Sequence, residues 1–132
     1  MSDNGLISRR STASPAEAMS RFIAIVTAKG MTVFARIDHA AAAAKAGLAL
    51  RPTEVAIFGS AQGGTPLMQA SQTIGIDLPL KVLVWQDEAG TTWISYNDPV
   101  WIASRHDPSR AHSPAVLALS QALATIVGLS VA

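Results

Sequence analysis

The segment of this chain best shaped for chemistry is Phe58-Gly59-Ser60-Ala61-Gln62-Gly63-Gly64-Thr65-Pro66. It follows a run that alternates like a strand and precedes one that reads as a helix. Free amides at a helix start, together with the helix dipole, favour an anion. Gly59 and Gly64 have the spacing of the two glycines of a P-loop. That motif then requires Lys and Ser/Thr, and Thr65 and Pro66 stand in their places. With no lysine for the β/γ-phosphates and no hydroxyl for magnesium, P-loop nucleotide chemistry is excluded. Two readings of the segment stay open: an anion-binding turn built on Gly63, Gly64 and Thr65, or a tight strand-to-helix turn that needs flexible backbone.

Asp38-His39 is the second candidate. At a strand end, Asp38 could act as a general base with His39 as its partner. The competing reading makes Asp38 the cap of an alanine-rich helix, with His39 exposed in its first turn. Adjacent residues rarely aim at one atom, so acid–base work here would need a third group. His39, His106 and His112 show no H-x-x-x-H or H-E-x-x-H spacing, and no metal site is expected. Nor is any cofactor. His106 is placed in a loop over Ser104–Ala111, solvated or bonded to backbone. Trp85, Trp93 and Trp101 lie on or beside one hairpin, but only Lys81 is near enough to interleave. Core packing or a subunit contact suits them better than a nucleic-acid stacking platform. No G-x-S-x-G elbow is present.

Composition narrows the classes further. The 132 residues carry a net charge of +1 and only 14% charged residues against 49% hydrophobic. A balance so near neutral, with Arg9-Arg10 as the only tight basic cluster, argues against capture of nucleic acid. Low charge is consistent with apolar surface hidden in a subunit contact, or with alanine inflating the hydrophobic count. Cysteine is absent, which removes disulfides, thiolate metal sites and thiol nucleophiles. Met1–Arg10 has no apolar core of a signal peptide, and no apolar run reaches membrane-spanning length. A cytoplasmic protein without membrane contact is expected.

The elements that must position these residues are well punctuated. Ser14-Pro15, Thr65-Pro66, Asp98-Pro99 and Ser113-Pro114 each pair a capping residue with a proline suited to the first helical position. The spacing predicts a helix over Pro15–Lys29 with a stripe of Met19, Phe22, Ile23 and Val26, and a capping box in which Glu17 reaches back to the Ser14 amide. A last helix from Pro114 buries Val116, Leu119, Leu123, Ile126 and Val127. Shorter helices are predicted from Asp38 to about Ala46 and from Thr65 to about Ile74, with a single turn at Pro99. Strands are predicted at Thr32–Ile37, Glu54–Phe58, Lys81–Gln86 and Thr91–Tyr96, and more weakly at Leu6–Arg10. Asp87–Gly90 reads as a hairpin turn. The expected fold is one α+β domain over residues 1–132, with Met1–Gly5 frayed. Its sheet is mainly antiparallel, with two long helices on one face and short helices inserted between strands.

Five blocks in order carry a family resemblance: Phe34–Ala40, Ile57-Phe58-Gly59, Gly64–Met68, Asp77–Trp85 and Ser95–Pro99. Over roughly Thr12–His112 the chain resembles the family known as domain of unknown function 302. The resemblance implies a TATA-binding-protein-like topology: strand, helix, four strands, helix. It implies no activity. Ser60-Ala61 departs from the Asn-Pro that often follows the Phe-Gly there, which weakens an anion-binding role for the turn. Three functions are therefore carried forward. The first is a small-ligand or anion-binding module using Asp38, His39, Gly63, Gly64 and Thr65. The second is a homodimeric or partner-binding protein. The third is an enzyme using Asp38 and His39.

Overall fold

The computed structural model describes residues 4–131. Of the fraying expected at Met1–Gly5, residues 1–3 lie outside the described ones. Gly5 does not fit it: it is buried, at φ +76°, beneath the indole of Trp101.

The chain runs β1 (Leu6–Ser11), α1 (Pro15–Ala28), β2 (Thr32–Asp38), α2 (His39–Lys45), β3 (Thr53–Gly59), α3 (Ala61–Ala70), a 3-10 turn (Gln72–Ile76), β4 (Leu80–Gln86), β5 (Thr92–Asn97), α4 (Pro99–His106), a second 3-10 turn (Pro108–Arg110) and α5 (Pro114–Ser130). The five strands form one sheet in the order β1-β5-β4-β3-β2, antiparallel throughout. Stripped of the short helices, this is the expected strand, helix, four strands, helix.

Period-two patterning decides which sheet face is covered. Ala56, Phe58, Val82, Val84, Ile94 and Tyr96 alternate onto one face and meet Ala18, Met19, Phe22 and Val26 of α1 and Leu123, Ile126 and Val127 of α5. Phe22 and Phe58 pack edge to face, with ring centroids 5.0 Å apart. A smaller cluster of Leu67, Ile74, Ile102, Ala103 and Val116 ties α3, the first 3-10 turn and α4 to the start of α5.

Three of the four capping pairs start helices as expected: Ser14, Asp98 and Ser113 accept from Glu17, Val100 and Val116 amides. Glu17 accepts the Ser14 hydroxyl at 3.3 Å rather than the Ser14 amide. The fourth pair is not a start. Ser60 caps α3, its Oγ accepting from the Gly63 amide at 3.1 Å, and Thr65-Pro66 falls inside the helix. Helix geometry set by a good cap outweighs the two glycines and the amide that Pro66 lacks. Nor does the helix continue to Ile74: it ends at Ala70, and a separate 3-10 turn follows. The single turn expected at Pro99 is an eight-residue helix, so His106 lies at a helix end rather than in a loop.

One irregularity bears on the site. Val33 pairs with Phe58 and Ala35 with Ile57, so Phe34 is an extra residue in β2. Such a bulge re-aims its side chain, and Phe34 is 59% exposed.

Candidate ligand-binding cavity

At the end of the sheet where β2 begins, β3 ends and β4 begins, the chain leaves a cavity of about 390 Å³. Met31 and bulged Phe34 form one wall. Gly59, Ser60 and Ala61 form the strand-to-helix corner. Gly63, Gly64, Thr65 and Met68 present the inner side of α3. Leu78, Pro79 and Leu80 enter from the segment before β4, and Leu119 of α5 closes the back. The cavity sits at the seam between the two hydrophobic clusters, since Leu78 and Leu119 pack against both.

The glycines on α3 keep this space open. A Cβ at Gly64 would lie 3.6 Å from Leu78 Cδ1 and 3.7 Å from Met68 Cε, so a methyl fits and anything larger fills the cavity. The lining includes no Asp, Glu, His, Lys or Arg. Its polar groups are the Ser60 and Thr65 hydroxyls and the backbone at the start of α3. The amides of Gly63 and Gly64 are already taken by Ser60, through its Oγ and its carbonyl. The earliest positions, Ala61 and Gln62, precede the intrahelical ladder, where helix amides lack partners within the helix. The arrangement suits holding a molecule rather than moving a proton.

The five residues expected at one site are divided. Gly63, Gly64 and Thr65 line the cavity, though as part of α3 and not as a turn before it. Asp38 and His39 sit at the other end of β2. Thr32 pairs with Gly59 at the cavity, whereas Asp38 pairs with Glu54, roughly 20 Å away along the strand. Asp38 Oδ1 accepts from the Ala41 amide at 2.9 Å, the capping role, and His39 is exposed.

A cluster that the sequence reading missed lies behind the cavity. His106 Nε2 is 2.6 Å from Asp77 Oδ2, and His106 Nδ1 is 2.9 Å from Thr73 Oγ1. Arg105 donates to both Asp77 oxygens at 3.1 Å. Hydroxyl, imidazole and carboxylate in a chain are the groups of a nucleophilic triad. Here Arg105 shares the carboxylate, and the cavity does not reach any of the three. The cluster is a latch: it ties the residue preceding Leu78 to the end of α4. His106 lies 29 and 33 positions from its two partners, so local spacing carries no signal of the cluster.

The two hairpin tryptophans lie on the sheet face opposite α1 and α5. Their rings are stacked at 6.3 Å, with an interplanar angle of 25°. Trp85 Nε1 donates to Ser95 Oγ at 2.8 Å, and Trp93 Nε1 donates to Asp87 Oδ2 at 2.9 Å. That bond, first, and the amides of Thr91 and Ala89 hold the Asp87 carboxyl below its ordinary value. Trp101 is apart from them, on Gly5.

Among the described residues no helix is long and apolar enough to cross a membrane, and no group of three His, Cys, Asp or Glu could hold a metal ion. The chain is 44% identical over 124 residues to "Fluoride-specific ion channel FluC 1" of Brucella suis biovar 1 (strain 1330). The match covers 94% of this chain and 49% of that protein. "Fluoride-specific ion channel FluC 2" of Brucella melitensis biotype 1 (strain ATCC 23456 / CCUG 17765 / NCTC 10094 / 16M) matches at the same identity over 124 residues, covering 94% of this chain and 46% of that one. The chain thus spans about half the length of the curated relatives it matches. Its fold is shared with a crystal structure of an uncharacterized conserved protein DUF302 from Bacillus stearothermophilus. The TM-score is 0.84 at 18% identity, covering 96% of this chain and 98% of that one. A family model described as "Domain of unknown function DUF302" matches residues 7–126, a longer stretch than the five motif blocks span, and the chain belongs to that family.

Proposed function

We propose that the chain is a binding module for a small amphipathic molecule. Its apolar body would occupy the cavity, and its anionic or hydrogen-bonding end would meet the start of α3 at Ser60 and Ala61. The observation that carries this is the cavity itself: about 390 Å³, walled by Met31, Phe34, Met68, Leu78 and Leu119, with one helix N-terminus at its corner. Binding sites are typically of this size and this mix of apolar wall and few polar groups. A bare inorganic anion fits it poorly, because the walls offer no replacement for lost hydration. The earlier enzyme reading gains no support, since Asp38 and His39 are far from the cavity and diverge into cap and solvent.

The test is thermal stability in the presence of decanoate, decanol and inorganic phosphate. Ligands that bind only the folded state raise the midpoint by mass action. The expected order is decanoate, then decanol, with phosphate inert. Stabilisation by phosphate alone would favour an anion-binding turn at Gly63, Gly64 and Thr65 instead, and no shift with any of the three would remove both.

A second reading rests on the Brucella relatives. They are named as ion channels, and the half that this chain matches corresponds here to a fold whose described residues include no membrane-spanning helix. We infer that in those proteins the matched half is an appended module and the other half conducts. Deleting the matched half of the Brucella suis protein should leave fluoride conduction in liposomes. Loss of conduction by a correctly inserted remainder contradicts this.

A further inference from the structure

We propose that the bare face of the sheet seats a second copy of this chain, two sheets meeting face to face around Trp85 and Trp93. The register lays that face out in rows: Ser8, Ser95, Leu83, Val55 and Ile37 across the middle, Arg10, Trp93, Trp85 and Thr53 on one side, and Lys81, Ile57 and Ala35 on the other. Its centre is apolar. Ile37 is 41% exposed, and Val55, Ile57, Leu83 and both tryptophans are half-buried with α1 and α5 on the far side.

Three observations favour a copy of the same chain over another occupant. First, both indole N–H groups are turned inward, to Ser95 and Asp87, so the rings offer a partner apolar surface and no donor. Second, the charges on the face are few and scattered: Arg10 at a corner, Lys81 near the start of β4, and Asp87 past the end of β4, whose carboxylate is already held by Trp93 and two amides. That is too sparse a pattern to recognise an acidic protein or track a phosphate backbone. Third, the edges are guarded while the face is not. β1 carries Arg9 and Arg10, and β2 is kinked by the Phe34 bulge, both devices that discourage edge pairing.

The area is adequate. Five strands about 4.8 Å apart and about six residues long span roughly 24 by 20 Å in plane, ~480 Å². Side-chain relief carries the accessible area toward the ~800 Å² that each partner gives up in a standard interface. A two-fold axis near Leu83 would bring each tryptophan pair against the other, and buried tryptophans are the residues that most often dominate such contacts.

The test is sedimentation equilibrium of the full chain from micromolar to hundreds of micromolar, beside Leu83→Arg and Ile57→Lys. Far-UV circular dichroism is recorded on each. The expected result is reversible dimerisation of the unaltered chain, with the dissociation constant raised roughly a hundredfold or more in folded variants. Should a variant fail to fold, acrylamide quenching of the unaltered chain decides: Trp fluorescence must become less quenchable as concentration rises. A chain that sediments as a monomer throughout, a dimer unmoved by both substitutions, or quenching independent of concentration overturns the proposal.

Discussion

His106 Nε2 meets Asp77 Oδ2 at 2.6 Å, and that contact joins the end of α4 to the residue just ahead of the cavity wall at Leu78. The His106 side chain is only 9% exposed, so removing it leaves Asp77 with fewer partners in a partly desolvated place. His106→Ala should lower unfolding free energy by about 1–3 kcal/mol, the range for a lost, largely buried hydrogen bond. It should also weaken decanoate binding, because Leu78 loses its anchor. Urea denaturation and ligand titration measure the two effects separately. Unchanged values in both would show that the latch is ornamental.

Gly5 cannot be replaced cheaply. Its φ is +76°, and a Cβ there would overlap Cβ, Cγ and Cδ2 of Trp101. Gly5→Ala should destabilise by about 2–4 kcal/mol from backbone strain plus a displaced indole. Fluorescence of Trp101 should shift to the red as the ring moves into water. The double variant Gly5→Ala/Trp101→Ala should suffer only the strain and the lost packing, so the two single effects will not add.

Gly64 separates stability from binding. Gly64→Ala places a methyl at ordinary contact distance from Leu78 and Met68 in the interior of α3. It should stabilise the chain by about 0.5–1 kcal/mol through helix propensity and reduce affinity modestly. Gly64→Leu should keep the fold and abolish saturable binding of decanoate, because its side chain occupies the cavity. Circular dichroism and titration calorimetry on the pair check this.

Acid should act through the hairpin. The Trp93 indole and the Thr91 and Ala89 amides lower the Asp87 carboxyl from its ordinary value of 3.8, with Arg51 adding a smaller attraction. A depressed folded value means that the stabilisation is complete above the unfolded value and is lost as pH falls through the folded one. Stability measured downward from pH 5 should therefore drop below about pH 4. In Asp87→Asn this drop should be shallower. Equal slopes in the two proteins would contradict the assignment.

Much of the framework was readable because its signals are local. Ser14, Asp98 and Ser113 each sit beside a proline and cap through an amide no more than three residues on. The strands were found by alternation, since one face is buried under α1 and α5. The failures share a cause. Thr65-Pro66 looks like Ser113-Pro114 locally, and only the competing cap at Ser60 shifts the start of α3. The Phe34 bulge depends on how β2 registers with β3. The cavity draws its walls from the start of β2, the β3–α3 corner, the segment before β4 and α5. No window of sequence contains it. Gly63, Gly64 and Thr65 suggest free amides by sequence, yet they line the cavity from within α3, where Gly64 leaves it room. Asp38 and His39 admit two local readings, acid beside base or cap of an alanine-rich helix, and the Ala41 amide donating to Asp38 Oδ1 is the cap.

The most direct measurement of ligand binding at the cavity is a two-dimensional amide NMR titration of the full chain with decanoate. Saturable shifts are expected at Ala61–Thr65, Met68, Leu78 and Leu119, with Asp38, His39 and the Trp85–Trp93 face unmoved. Saturable shifts centred on Asp38 and His39, or no saturable shift at the cavity residues, would contradict it.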